Sequence, residues 1–306
     1  MALLRFVFLF FLISFSASAQ KDYNTWLQYN AVTNSGIASE YKSNIKGIAM
    51  LGNSETIKIA EKELKTGFLD MLGNTPEIRS EVKGESYIIV GSHSNLNSEI
   101  KNELQSDFDK INNEGFIIKS ISLKNKKQII ITGKNDVAVL YGVFNFLRIL
   151  QTNKSIKSLN IADSPKTNIR ILNHWDNLDR TIERGYAGFS LWNWQKLPDF
   201  IDQRYIDYAR ANASIGVNGT VLNNVNANAL ILTPQYLEKV EAVANVFRPY
   251  GIKVYLTARF SAPIEIGKLK TADPKDPEVI NWWKNKSGEI YKRNPDFGGF
   301  LLKTNI

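Results

Sequence analysis

Ile169-Arg-Ile-Leu172, followed by Asn173-His-Trp-Asp-Asn-Leu178, is the stretch that decides the fold. A short apolar run reads as a strand, and the polar and aromatic loop after it carries side chains suited to chemistry rather than packing. The unit recurs. Gly219-Thr-Val-Leu222 leads into Asn223-Asn-Val-Asn226, and Ile252-Lys-Val-Tyr-Leu256 leads into Thr257-Ala-Arg-Phe260. Gly299-Phe-Leu-Leu302 leads into Lys303-Thr-Asn305. Helical patterns lie between the strands, over 205–215, over 235–250 and from Asp276-Pro277-Glu278 onward. That last triplet is an N-cap, a proline at the first helical position and an acid in the first turn. Four β/α units in a row, with functional residue types at each strand's C-terminal end, predict the first half of a (β/α)8 TIM barrel over 161–306. Half a barrel would leave its first and fourth strands as open edges. A chain stopping at Ile306 is therefore expected to be a fragment, a truncated product or a poorly stable protein.

Upstream, residues 45–150 also alternate strand and helix signals. Ile45 to Leu51 and Ser86 to Val90 are buried-type strands. Ile57, Ala60, Leu64, Phe68 and Leu72 recur at helical spacing. Phe116 to Leu123 and Gln128 to Thr132 read as a hairpin around Lys124-Asn125-Lys126-Lys127, and Val137 to Leu150 is a strongly apolar helix. This order predicts a small N-terminal α/β sandwich-type domain over 20–160, one sheet with helices packed on it. Residues 151–168, polar and carrying Pro165, read as the boundary. The fold class is thus α/β throughout.

The first residues read differently. Arg5, an apolar run from Phe6 to Ile13 and Ala17-Ser18-Ala19 form a secretory signal-peptide pattern over 1–19. The expectation is export, to a periplasmic or extracellular location. The chain has 306 residues, 43% hydrophobic and 22% charged, which excludes wholesale disorder. It has no cysteine, which excludes disulfides, thiol nucleophiles and Cys-ligated metals, and only two histidines. The formal charge of +8 is spread as lysines beside acids, a solvated surface rather than a nucleic-acid stripe. No later run is long enough to span a membrane, and no phosphate loop or dinucleotide fingerprint occurs.

The strand ends are rich in Trp, Asn, Asp, Arg and Lys. Such groups bind hydroxyls and carboxylates, and Trp offers a flat face to a sugar ring. Each residue keeps a second, structural reading. Trp175 lines a pocket or plugs the barrel mouth. Asp176 and Asp179 serve a ligand, cap the following helix, or pair with Arg180 and Arg184. Trp192 and Trp194 read as packing. Arg259 contacts a ligand or forms an ion pair. Lys303 points at the face where barrel active sites lie. Glu265 and Asp296 are loop acids without an evident partner.

Asn173-His-Trp-Asp-Asn-Leu-Asp-Arg-Thr-Ile-Glu-Arg-Gly-Tyr-Ala-Gly188 resembles the first barrel segment of the α-glucuronidases of glycoside hydrolase family 67. Ala209 to Ala227 resembles the second segment, and Thr271 to Pro277, Trp282-Trp283 and Pro295 to Phe300 resemble the approach to the fourth strand. The resemblance implies removal of glucuronic or 4-O-methylglucuronic acid α-1,2-linked to terminal xylose of xylooligosaccharides, by inversion and without a cofactor. The implied partner is an acidic xylooligosaccharide, with neither nucleic acid nor membrane. Family members often dimerise through a C-terminal region that this chain lacks. The resemblance places Trp175, Val225 and Lys303 against the uronic acid; Asn224 and Arg259 join them from position alone. It implies no catalytic residue here, because the general acid follows the family's Lys-x-Asn stretch in a Ser-Glu-Gly motif. Two outcomes follow: an α-glucuronidase in which these residues bind substrate, or a non-catalytic remnant that at most binds acidic xylooligosaccharides.

Overall fold

The computed structural model describes residues 22–226 and 228–302. The leader reading over 1–19 and Lys303 lie outside the described residues. Two sheets organise the rest. The first contains β1 (Gly47–Met50), β2 (Glu77–Arg79), β3 (Tyr87–Val90), β4 (Phe116–Leu123), β5 (Lys126–Gly133) and β6 (Asn160–Asp163), in the spatial order β2-β1-β3-β5-β4-β6. β1, β2, β3 and β5 run parallel, while β4 is antiparallel to both β5 and β6.

Helices cover both faces of this sheet. They are α1 (Ser35–Asn44), α2 (Glu55–Leu72), α3 (Ser98–Phe108) and α4 (Asp136–Gln151). The strands divide by period two. Ile48, Met50, Ile88, Val90, Ile129 and Ile131 join the cluster that contains Leu64 and Phe68 of α2 and Phe144 and Leu147 of α4. Ala49, Ile89, Ile117 and Ile130 face the other way, onto Ile100, Leu104 and Phe108 of α3. A sheet buried on both sides explains why β1 and β3 read as unbroken apolar runs. The abundant asparagines start the helices: Asn34, Asn97 and Asn135 each accept a backbone N–H of the first turn.

Three details depart from the sequence reading. Residues 160–163, inside the stretch read as a polar boundary, form the sixth strand and pair with β4. An edge strand this short and exposed has almost no apolar signature. β2 was missed for the same reason. The hairpin turn is tighter than the four polar residues suggest. Lys124 and Asn125 alone turn the chain, both at positive φ (49° and 65°), so β5 begins at Lys126. Two consecutive left-handed residues match the twist of the flanking strands.

The second sheet has β7 (Ile171–Asn173), β8 (Gly219–Val221), β9 (Lys253–Thr257) and β10 (Gly299–Leu301), all parallel and in sequential order. Helix α5 (Gln203–Ser214) connects β7 to β8, and α6 (Pro234–Phe247) connects β8 to β9. A short α7 (Ala262–Glu265) and then α8 (Pro277–Arg293) connect β9 to β10. Asp276 caps α8 with Pro277 in its first turn, as the sequence predicts.

One face of α5 joins the two regions. Asp207, Arg210 and Ser214 are spaced three and four apart and so share a face. Asp207 accepts the Tyr23 hydroxyl at 2.8 Å, and Ser214 Oγ accepts the Trp26 indole N–H at 2.8 Å. Arg210 reaches Glu63 of α2 through two bonds of 2.8 and 2.6 Å, and Tyr29 donates to the same carboxylate at 2.6 Å. Glu63 is buried, so this is a desolvated, bidentate charge pair. Gly251 adds a close approach: at φ 75° it ends the turn after α6, and a Cβ there would meet Val137 of α4 at 2.4 Å. Among the described residues no helix is long and apolar enough to cross a membrane.

Candidate functional site

The C-terminal ends of β7, β8 and β9 converge on one polar cavity of about 360 Å³. Asp176, Asp179, Asn224, Asn226, Arg259 and Glu265 contribute to its wall. Its size falls within the usual range for small-molecule sites.

Asn223 and Asn224 build the floor by acting as extra peptide groups. The β8–β9 ladder continues one step, with Leu222 N–H bonding Tyr255 C=O at 3.0 Å. Beyond it the Asn223 side chain substitutes for backbone. Its Oδ1 accepts Thr257 N–H at 2.8 Å, and its Nδ2 donates to Thr257 C=O at 3.0 Å. Asn224 turns the other way. Its backbone N–H bonds Asp176 C=O at 2.8 Å, and its Nδ2 donates to Trp175 C=O at 3.2 Å and Asn177 Oδ1 at 3.0 Å. Two adjacent side-chain amides thus fasten the second strand end to the third and to the first. Both are buried, and their amides are satisfied.

That fastening presents Trp175. Its carbonyl is held by Asn224 and by Glu183 N–H at 2.9 Å, while the residue is 43% exposed. Trp192, by contrast, is fully buried against α5 and α6, with the His174, Tyr208 and Phe247 rings 5.3–5.7 Å away. The exposure of Trp175 fits a wall residue rather than a plug. Trp194 is buried too, as packing requires.

The carboxylates have partners. Asp176 Oδ2 accepts Ser190 Oγ at 2.5 Å, and Oδ1 lies 3.6 Å from His174 Nδ1. His174 Nε2 meets Tyr208 Oη at 2.8 Å, and Tyr208 reaches Thr220 Oγ1 at 3.0 Å. Burial pushes the Tyr208 phenol up to about 12, so it remains a donor at neutral pH. Asp179 accepts the Thr181 hydroxyl and amide, at 2.7 and 2.9 Å, which hold its carboxyl below the ordinary aspartate value. Neither aspartate caps a helix or pairs with Arg180 or Arg184. Glu265, read as partnerless, lies 2.9 Å from Arg259 Nε, and Asp296 takes a two-pronged bond from Arg248 at 2.9 Å each. Arg259 is exposed, and its Nε also donates to Ser261 at 3.0 Å.

The structure therefore brings Asn224 and Arg259 to one cavity and ties Trp175 to its wall. Val225 is half-buried in the turn between Asn224 and Asn226. Lys303 lies outside the described residues. Sequence reasoning missed Glu183. Its φ is 56°, its Oε2 is buried without a partner among the described residues, and its backbone closes the Trp175 loop. The signal available was an acid inside a glycine-punctuated loop, since Gly185 and Gly188 also take positive φ. No cluster of three or more metal-ligating side chains occurs among the described residues.

Comparison with known proteins matches two consecutive parts of the chain. The glycosyl hydrolase family 67 N-terminus model matches residues 25–146, and the family's middle-domain model matches 149–306. Probable alpha-glucuronidase A of Aspergillus terreus is 35% identical over 291 residues, covering 93% of this chain and 33% of its own length. Alpha-glucuronidase A of Emericella nidulans is 31% identical over 315 residues, covering 98% and 36%. The chain spans about a third of the length of these curated relatives. Among solved structures, a family GH115 4-O-methyl-alpha-glucuronidase with specificity for decorated arabinogalactans superposes with a TM-score of 0.54 at 13% identity, covering 85% of this chain and 37% of its own. CpGH84B gives 0.52 at 12%, covering 85% and 40%. At such identities the likeness concerns the fold alone.

Proposed function

The chain belongs to glycoside hydrolase family 67, and from that premise we propose that it serves α-glucuronidase chemistry. The bond cleaved joins glucuronic or 4-O-methylglucuronic acid α-1,2 to the terminal xylose of a xylooligosaccharide. In this reading the four parallel strands are the first half of a (β/α)8 barrel, and their ends hold the uronic acid. The leader over 1–19 would export the protein.

The observation that carries the reading is Trp175, held half-exposed by Asn224 and Glu183 beside a cavity walled by amides, carboxylates and the Arg259 guanidinium. An indole face takes the apolar face of a sugar ring. A guanidinium takes a carboxylate that neutral xylose lacks. Val225 and Lys303 complete the set by resemblance.

Inversion requires an acid and a base roughly 6.5–9.5 Å apart with a water between them. Asp176, Asp179 and Glu265, the carboxylates lining the cavity, are each bound to a donor or cation of their own. We therefore assign substrate binding, rather than proton transfer, to these three carboxylates and the strand ends that carry them.

Titration of the chain with 4-O-methylglucuronosyl-xylotriose and with neutral xylotriose tests this. The acidic sugar should bind more tightly, and Trp175→Ala and Arg259→Gln should each weaken it by about tenfold. Equal binding of both sugars, or no effect of either substitution, would overturn the reading. Release of the uronic acid by a chain in which Asp176, Asp179 and Glu265 are needed for turnover would overturn their assignment to binding while keeping the activity.

A further inference from the structure

Helix α5 ends at Ser214, and Ile215 and Gly216 lead from it toward the start of β8. This corner therefore lies at the opposite end of the parallel strands from Asn224. A cavity of about 330 Å³ opens there, between the N-terminal segment, α4 and α5. Trp26, Phe144, Arg148, Gln151, Ser214 and Ile215 contribute to its wall, and no carboxylate does.

Two of these side chains are set without being used up. The Trp26 indole N–H is fixed to Ser214 Oγ at 2.8 Å, yet the residue is 51% exposed. A large aromatic group pinned at its polar edge and open to water is a platform for the C–H face of a sugar. Arg148 donates to Asn145 Oδ1 at 3.3 Å and to Ser214 C=O at 3.1 Å. Among the described residues no carboxylate lies within 4.0 Å of it, unlike Arg210, Arg248 and Arg259. An oriented guanidinium with donors to spare matches a carboxylate.

We propose that this groove is a second binding site, for a uronate-bearing oligosaccharide, with the sugar on Trp26 and the carboxylate on Arg148. The sugar class rests on the reading of the strand ends given above; the aromatic platform and the unneutralised cation are independent of it. The site would hold acidic oligosaccharide on the protein at a place remote from Trp175.

The test is calorimetric titration of the whole chain with 4-O-methylglucuronosyl-xylotriose and with xylotetraose, using variants of both sites. In a Trp175→Ala background, binding of the acidic sugar should persist. Adding Trp26→Ala or Arg148→Gln should weaken that residual binding by roughly tenfold, and xylotetraose should bind weakly throughout. Arg148 is exposed, so Arg148→Gln keeps the test valid should Trp26→Ala disturb folding. The groove is ruled out when Trp175→Ala alone removes all binding, when Arg148→Gln leaves the residual binding unchanged, or when the intact chain binds nothing. The reverse pattern, with groove substitutions weakening binding and Trp175→Ala and Arg259→Gln without effect, sinks the strand-end site and keeps this one.

Discussion

The two sheets solve the same problem to different degrees. The first ends in short polar edges, Glu77–Arg79 on one side and Asn160–Asp163 on the other, with helices on both faces. The second ends in apolar ones. Ile169, just before β7, is 63% exposed, Leu172 within it 40%, and Leu302, just after β10, 55%. Short, charged edges resist further pairing, whereas apolar edges invite it. The residues of the first sheet's edges discourage additional strands, and those at the second sheet's edges do not. The polar cavity sits on the second sheet, at the end where β7, β8 and β9 deliver their loops.

Core truncation should separate the two sheets most widely. Phe68→Ala, in the fully buried layer over the first sheet, should cost about 3–5 kcal/mol. Leu172→Ala, on the open edge, should stay within about 0.5 kcal/mol. Denaturant midpoints of the two variants measure this, and similar losses would break the contrast. Next in size is the bond between the regions. Glu63→Gln strands the Arg210 charge and should cost about 3 kcal/mol, with Arg210→Met in the same chain recovering part of it. Additive losses in that double-mutant cycle would show that the contact is incidental.

A smaller effect tests the amide clamp. Asn224→Ala removes a satisfied buried side chain and should cost about 1–3 kcal/mol. It should also raise the accessibility of Trp175 to iodide, read against the same substitution in Trp175→Phe. Stability loss without a change in quenching would make Asn224 a general packing residue. The smallest effect is the pH dependence at Asp179. Thr181 holds the folded-state value below the unfolded one, so the group stabilises the protein above roughly pH 4 and loses that contribution on acidification. The stability gap between wild type and Asp179→Asn should narrow as the pH falls from about 5 to 2. A gap that widens in acid would contradict the assigned hydrogen bonds.

The sequence disclosed the parts whose physics is periodic. β1 and β3 are apolar over their whole length because both sides of them are covered, α4 is apolar over most of its surface because most of it is buried, and Asp276-Pro277 announces its helix by local chemistry. β2 and β6 were hidden because an exposed edge strand of three or four residues has no pattern to read. At the candidate site, residue types were legible and their duties were not. Asn224 was chosen from its position at a strand end. The clamp it forms depends on Asp176, Trp175 and Asn177, 47 to 49 residues away in the case of the last two. Glu265 appeared partnerless because its cation is six residues earlier across a turn, a pairing that helical or strand spacing does not reveal. The separate jobs of Trp175 and Trp192 emerge only from burial.

Asp207, Arg210 and Ser214 also have a mechanical meaning. Three attachments along one side of a single helix resist twisting as well as pulling, because turning the helix about its axis would strain all three together. The opposite side of that helix carries Tyr208, which meets His174 two residues before Asp176. A single helix thus joins the N-terminal region on one side to a residue chain that ends at the rim of the cavity on the other.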